Sequence, residues 1–414
     1  MTDETLTDEK ATDEKVTGET PTDENAEVEK PAAEIHGFND FALPDYLMRG
    51  IEDLGFETCT EIQSEVLQWS LSDYDVTGQA QTGTGKTAAF LITILTQQHE
   101  YPLARPNPPG TPRALVLAPT RELAMQIESD AHDLAKYGDK EILSVVGGID
   151  YNKQQQRLRG SDIDLVAATP GRLLDFCGRG VIDLRRVEVL IIDEADRMLD
   201  MGFIPDVRRI VYQTPKKRSR QTLFFSATFN DDVMNLAQQW TVDPVHIVIQ
   251  PDSIAAENVE QRFWMLPHEE KRGALAKFVK QHEPVRTLVF VNRRDQSRRV
   301  VRYLNDKGIH CEALTGEIPQ RKRLATLDRF KKGQTNLVIA TDVAGRGIHV
   351  EGISHVINYD LPEDAEDYVH RIGRTGRAGA SGIAISFVSE NDAFNLPAIE
   401  EFLGHSVTCI QPEI

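Results

Sequence analysis

Ala80-Gln81-Thr82-Gly83-Thr84-Gly85-Lys86-Thr87-Ala88-Ala89-Phe90-Leu91 (residues 80–91) runs from a glycine-spaced turn straight into an apolar helix start. Glycines let a backbone wrap phosphate oxygens closely. A lysine reaches the β- and γ-phosphates, and a hydroxyl serves a metal ion. Gly83, Gly85, Lys86 and Thr87 supply these parts, with Thr84 between them and Ala80 where the strict pattern has its first glycine. Alone, the stretch could be an ordinary glycine turn before a helix. An acidic partner downstream argues otherwise.

That partner is Asp193-Glu194-Ala195-Asp196, directly after the apolar run Val189-Leu190-Ile191-Ile192. Ligands in a doubly wound sheet collect at the carboxyl ends of strands. Asp193 is placed to hold Mg²⁺ together with Thr87, and Glu194 to orient and deprotonate an attacking water. An acidic cluster opening a helix is the plainer reading, but it leaves the phosphate loop unexplained. Phosphoryl transfer also needs a cation on the developing charge. His370-Arg371-Ile372-Gly373-Arg374-Thr375-Gly376-Arg377 offers Arg374 and Arg377, which reach a γ-phosphate if two lobes close on each other.

The surrounding pattern is short apolar runs alternating with amphipathic stretches. Ala114–Ala118, Leu165–Ala168, Val189–Ile192 and Leu223–Phe225 have strand length, and Glu122 to Lys136 has helical spacing. Near-continuous apolar strands between helices imply a parallel sheet covered on both faces. Residues 250–257, with Pro251, Asp252 and Ser253, break the rhythm and read as a linker. It then restarts with Thr287–Val291, Leu337–Ala340, His355–Ile357 and Ala384–Val388. The expected organisation is an acidic disordered tail over 1–35, one α/β domain over 36–249, and a second over 258–414, with a crevice between the two.

Composition bounds the rest. The chain has 414 residues, is 40% hydrophobic and carries a net charge of −19. Residues 1–35 hold 12 Asp/Glu against 3 Lys and repeat Thr-Asp-Glu at 2, 7, 12 and 22, a composition too polar to bury a core. The remaining body is still acidic, so nucleic acid would have to bind in a local basic groove. No apolar run approaches a membrane span and no secretory leader is visible, so no membrane partner is expected. Cys59, Cys177, Cys311 and Cys409 lie far apart, without metal spacing, as free thiols in a reducing cytoplasm do.

The ordered motif set over about residues 38–405 resembles the DEAD-box ATP-dependent RNA helicases. More narrowly, it is similar to the bacterial RhlB type found in RNA degradation assemblies (degradosomes), through Gly147–Gln154, Gly347-Ile348-His349 and Asn395–Glu400. The resemblance implies two RecA-like domains with doubly wound parallel sheets, ATP and Mg²⁺ as cofactors, and RNA bound without sequence preference. Phe38, Phe56 and Gln63 look like the adenine-reading segment, with Gln63 on the base edge and Phe38 packed on the base. Ala80, Gln81, Thr82 and the rest of the loop to Thr87 complete the ATP set. Pro119, Thr120, Arg121, Gly147, Gly148, Thr169, Arg172, Arg323 and Thr341 look like RNA contacts, the glycine pair admitting the strand closely. Asp196, Ser226, Thr228 and His370 look like the residues that couple hydrolysis to strand separation.

Departures from the family pattern are Glu61 for a proline and His349 where most members have a ribose-contacting aspartate. RhlB-type proteins usually continue into an Arg-rich tail; without one, weaker and more salt-sensitive RNA binding is expected. The implied activity is RNA-dependent ATP hydrolysis with local duplex unwinding by a monomer, and RNase E-type endoribonuclease docks through the second domain. The alternative is an ATP-gated RNA clamp that holds RNA for a ribonuclease and hardly unwinds it. A P-loop kinase is disfavoured because the second lobe repeats the first and carries arginines instead of an acceptor pocket.

Overall fold

A computed structural model describes residues 36–80, 83–160, 162–249, 259–345, 350, 352–376 and 381–412. The expected tail (1–35), the expected linker (250–257), Gln81, Thr82, His349 and Arg377 lie outside these residues.

The first lobe contains α1 (Asp45–Asp53), α2 (Glu61–Ser70), β1 (Val76–Gln79), α3 (Lys86–Glu100), β2 (Ala114–Leu117), α4 (Arg121–Leu134) and β3 (Ile142–Val145). It continues with α5 (Tyr151–Gly160), β4 (Leu165–Ala168), α6 (Pro170–Gly178), β5 (Val189–Ile192), α7 (Ala195–Asp200), α8 (Ile204–Val211), β6 (Gln221–Ser226), α9 (Asp231–Trp240) and β7 (Val245–Val248). The second lobe contains β8 (Val259–Met265), α10 (Lys271–His282), β9 (Thr287–Phe290), α11 (Arg294–Asp306), β10 (Glu312–Leu314), α12 (Gln320–Lys331) and β11 (Leu337–Ala340). It ends with α13 (Asp342–Gly345), β12 (His355–Asn358), α14 (Ala365–Ile372), β13 (Gly382–Val388), α15 (Leu396–Leu403) and β14 (Cys409–Ile410).

Among the described residues each lobe holds one seven-stranded sheet, ordered β3-β4-β2-β5-β6-β1-β7 and β10-β11-β9-β12-β13-β8-β14. Counted within its own lobe, the second order is the same as the first. Every pairing is parallel. Two copies of one doubly wound topology therefore make up the body.

Period-2 geometry explains the apolar strands. Ala114 and Val116 of β2 enter one core layer while Leu115 and Leu117 enter the other, and Val189/Ile191 and Leu190/Ile192 of β5 divide the same way. In the second lobe Val289 faces one layer and Leu288 and Phe290 the opposite one. With both faces buried, side chains offer no polar surface, and chemistry is confined to strand ends. Among the described residues no helix is long and apolar enough to cross a membrane.

The basic run at 216–220 is anchored at two of its cations. Lys217 Nζ donates to Thr241 O, and Arg220 is buried, donating to Thr214 Oγ1. Carbonyls at the end of α9 and in the preceding turn accept these cations, which pins the loop before β6.

Candidate nucleotide and RNA site

The phosphate loop joins the carboxyl end of β1 to α3. Gly85 opens the helix at φ 101°, ψ 9°, a left-handed conformation that side chains avoid. A Cβ there would lie 2.5 Å from Gln63 Nε2 and 2.9 Å from Thr60 Oγ1. The loop is thus packed against the start of α2. Thr60 Oγ1 donates to Thr84 O at 2.8 Å, and Gln63 Nε2 donates to Gly85 O at 3.2 Å. Gln63 Oε1 also accepts from Thr60 N at 2.8 Å, half of a capping box. The amide expected to read a base is therefore also a brace for the loop.

Phe38 is 2% exposed and stacks on Phe56, ring centroids 6.3 Å apart, while Phe56 is 38% exposed. The ring lining the cleft is Phe56, with Phe38 behind it. That cleft, about 860 Å³, is also lined by Thr60, Gln63, Gly83, Gly85, Lys86, Thr87, Asp193 and Glu194. Arg286, Lys331 and Val350 of the second lobe form part of the same wall. Its size suits a nucleotide.

Lys86 is buried and donates to Ala80 O. Burial pushes the Asp193 carboxyl up to about 6, against the pull of the Lys86 ammonium. Asp193 Oδ1 accepts Glu194 N, and Glu194 sits at φ 53°, ψ 54°, a strained conformation for a non-glycine residue. Arg197 NH1 holds Glu194 Oε2 at 2.9 Å, with both side chains buried. Arg197 was not legible as a site residue. Its one sequence signal is the i,i+3 spacing from Glu194 on a helix.

Asp196 is a junction. Its Oδ2 accepts Ala227 N at 3.0 Å, Thr228 N at 3.1 Å and Thr228 Oγ1 at 3.4 Å, while Asp196 N donates to Ser226 Oγ. The expected coupling set, Asp196, Ser226 and Thr228, is thus brought together across the ends of β5 and β6. His370 reaches the same crevice from the second lobe, with its Nδ1 3.9 Å from Asp367.

Arg371 and Arg374 of the same segment take different partners. Arg371, buried in lobe two, grips Asp342 through Nε (2.6 Å) and NH2 (2.7 Å), and also bonds Asp360 O and Asn292 Oδ1. Arg374 is buried, and its Nε donates to His370 O at 3.1 Å.

Expected RNA contacts lie at the carboxyl ends of β2, β3 and β4. Pro119 and Thr120 precede α4, which Thr120 caps through Leu123 N. Thr169 precedes α6, and Arg172 lies over the rings of Tyr151 and Phe176 at 5.3 and 5.6 Å. Arg172 NH1 is buried with no hydrogen-bond partner among the described residues. In lobe two, Thr341 follows β11, its N–H on Leu314 O.

The space beside the glycine pair holds the Arg121 side chain. Cβ atoms on Gly147 and Gly148 would lie 3.3 Å and 2.2 Å from the Arg121 guanidinium, and the second also 3.2 Å from Gln320 Cβ. Gly147-Gly148 therefore makes room for Arg121 and for lobe two. Next to Arg121, Glu122 Oε1 accepts Gln320 Nε2 at 2.8 Å and Arg323 NH2 at 2.9 Å, a buried contact between lobes. Burial lowers the Arg323 guanidinium below its ordinary value, partly offset by Glu122.

Residues 60–236 match the DEAD/DEAH box helicase family and residues 270–379 the helicase conserved C-terminal domain. Over 375 residues the chain is 53% identical to the ATP-dependent RNA helicase RhlB of Pseudomonas putida, covering 91% of this chain and 94% of that protein. Among solved structures, S. cerevisiae Dbp5 bound to RNA and ADP BeF3 superposes with a TM-score of 0.80 at 30% identity, covering 91% of this chain and 95% of that one. Mss116p (NTE and C-tail double deletion) bound to ssRNA and AMP-PNP superposes at 0.81 with 27% identity, covering 93% and 81%.

Proposed function

The chain belongs to the DEAD/DEAH box helicase family, RhlB type, and on that premise we propose that it separates short RNA duplexes by closing its lobes around ATP and one RNA strand. It is an ATP-dependent RNA helicase and thereby an RNA-dependent ATPase. The observation that carries the closure is Glu122, which accepts Gln320 and Arg323 of lobe two while its neighbour Arg121 lies on the glycine pair. Residues assigned to RNA thereby share side chains with the lobe contact. A strand seated there and a closed crevice stabilise each other.

ATP lies in the shared cleft. Lys86 leaves Ala80 O for the β- and γ-phosphates, and Gly83 to Gly85 present backbone N–H groups. Gln63 has a second amide N–H and a second lone pair for adenine while its brace to Gly85 persists. Phe56 supplies the ring nearest the base, supported by Phe38. Asp193 and Thr87 suit Mg²⁺, which takes one or two carboxylates and leaves most positions to phosphate and water. Among the described residues no three His, Cys, Asp or Glu form a protein-only cage. Bound there, the ion neutralises phosphate charge.

Glu194, oriented by Arg197, takes a proton from the attacking water. Asp196 transmits the loss of γ-phosphate to Ser226 and Thr228, and His370 receives it in lobe two. Arg374 and Arg377 supply positive charge on closure. Contacts through phosphates and sugars position a strand without reading bases. A cytoplasmic monomer that docks an RNase E-type endoribonuclease through lobe two completes the proposal. The tie of Asp196 to the Ser226–Thr228 segment favours unwinding over a passive clamp.

Steady-state ATPase measured with and without single-stranded RNA tests the proposal. Stimulation of tenfold or more is expected, and turnover indifferent to RNA would reject it. Gly148→Ala should raise the RNA concentration for half-maximal stimulation several-fold with basal turnover intact. The new Cβ meets Arg121, and φ is +77°, a conformation that costs roughly 1–2 kcal/mol for a side chain. An unchanged RNA titration would contradict the role of that glycine.

A further inference from the structure

Helix α11 carries positive charge on a body that is otherwise acidic. From Arg293 to Lys307 there are six cations against Asp295 and Asp306. Arg294, Arg298 and Arg302 recur every fourth residue and so form one row, spaced about 6 Å along the axis. All three are exposed. Like charges at this spacing destabilise a helix. Among the described residues a single carboxylate offsets the row, Glu317, at 3.9 Å from Arg294 and 3.7 Å from Arg298. A solvated face on a chain of net charge −19 would carry mixed charge more cheaply.

The row also begins beside the segment that leads to the lobe contact. Arg294 NH2 lies 3.8 Å from where a Cβ on Gly316 would stand, and Gly316 leads into Gln320 and Arg323 at the lobe contact. Arg121 NH1 donates to Gln320 Oε1 at 3.4 Å, and Arg294 and Arg298 share Glu317, three residues before Gln320.

We propose that the exposed face of α11 binds the phosphates of single-stranded RNA that extends beyond the segment gripped between the lobes. This rests on the RNA helicase function proposed above. The row is about 12 Å long and accompanies about three phosphates of a strand rising 3.4 Å per nucleotide. Contacts made to phosphates add length dependence and salt dependence without sequence preference. The neighbouring cleft of about 800 Å³ is a poorer seat for phosphate. Arg272, Arg293 and Arg299 line it beside five carboxylates.

The test is binding of 8-mer and 20-mer oligouridylate to the full chain with a non-hydrolysable ATP analogue, between 50 and 200 mM salt, followed by anisotropy. Arg298→Gln/Arg302→Gln keeps helix propensity while removing two charges. It should weaken 20-mer binding by about an order of magnitude near 0.1 M salt. The log–log salt slope should become shallower by about 1.4, at 0.7 per phosphate contact. Binding of the 8-mer and its ATPase stimulation should stay at native values, and Arg298→Lys/Arg302→Lys should match the native chain on both lengths. Equal loss on both lengths would put the face inside the core grip, and no loss on either would make it a solvated surface; each overturns the proposal. A native chain that ignores even the 8-mer would instead overturn the helicase function itself.

Discussion

Glu194→Gln is expected to bind ATP and RNA like the native chain yet hydrolyse at least about a hundredfold more slowly, as loss of a positioned base does. The substitution is nearly isosteric, and the amide oxygen can still accept from Arg197, whose guanidinium now meets Glu194 Oε2 at 2.9 Å. Packing at the crevice changes little, one negative charge leaves it so that Arg197 keeps a hydrogen bond but loses its ion pair, and the proposed proton acceptor is gone. Nucleotide affinity measured beside single-turnover hydrolysis separates the two effects. Turnover near the native rate would remove Glu194 from the chemistry. Equal loss of affinity and rate would recast it as a binding residue.

Arg371→Ala is expected to destabilise the second lobe by about 3–5 kcal/mol, the scale for breaking a buried ion pair from one side. The Arg371 side chain is 2% exposed, and its loss leaves both Asp342 oxygens, Asp360 O and Asn292 Oδ1 short of a donor. It joins α14 to α13, β12 and the end of β9, so the damage is not local. Urea unfolding followed by the fluorescence of Trp264, buried in β8, reads this lobe once Trp69 and Trp240 of the first lobe are replaced by Phe. If the midpoint held while ATP hydrolysis collapsed, Arg371 would be a phosphate contact and its buried bonds incidental. A change of this size consumes a large fraction of ordinary domain stability, so activity should be compared well below the melting temperature.

The apolar runs at Leu165–Ala168, Val189–Ile192 and Leu337–Ala340 were readable as strands because both of their faces are buried. Other strands gave no such signal. β1 reads Val-Thr-Gly-Gln, β7 lies at a sheet edge with half its residues exposed, and β14 has two residues. Their neighbours supply the pairing that their own composition does not request. The site divides in the same way. Gly83, Gly85, Lys86, Asp193 and Asp196 announce themselves by residue type and by position after a strand. Arg197, Glu122 and the brace from Thr60 to Thr84 do not, because an arginine, a glutamate or a threonine in a helix turn is ordinary until its partner is known.

Local spacing alone determined that the chain has two α/β lobes, a phosphate loop and an acidic pair, each following a strand. Period-2 burial and glycine geometry act over a few residues, so the sequence carries them directly. Tertiary structure decided which of several similar groups faces the cleft. It put Phe56 in front of Phe38, set Arg371 into the frame of lobe two, and filled the glycine pair with Arg121. Those outcomes depend on where elements far apart in the chain cross. Glu122 and Arg323 meet across the lobe contact at 2.9 Å, and no local pattern encodes that distance.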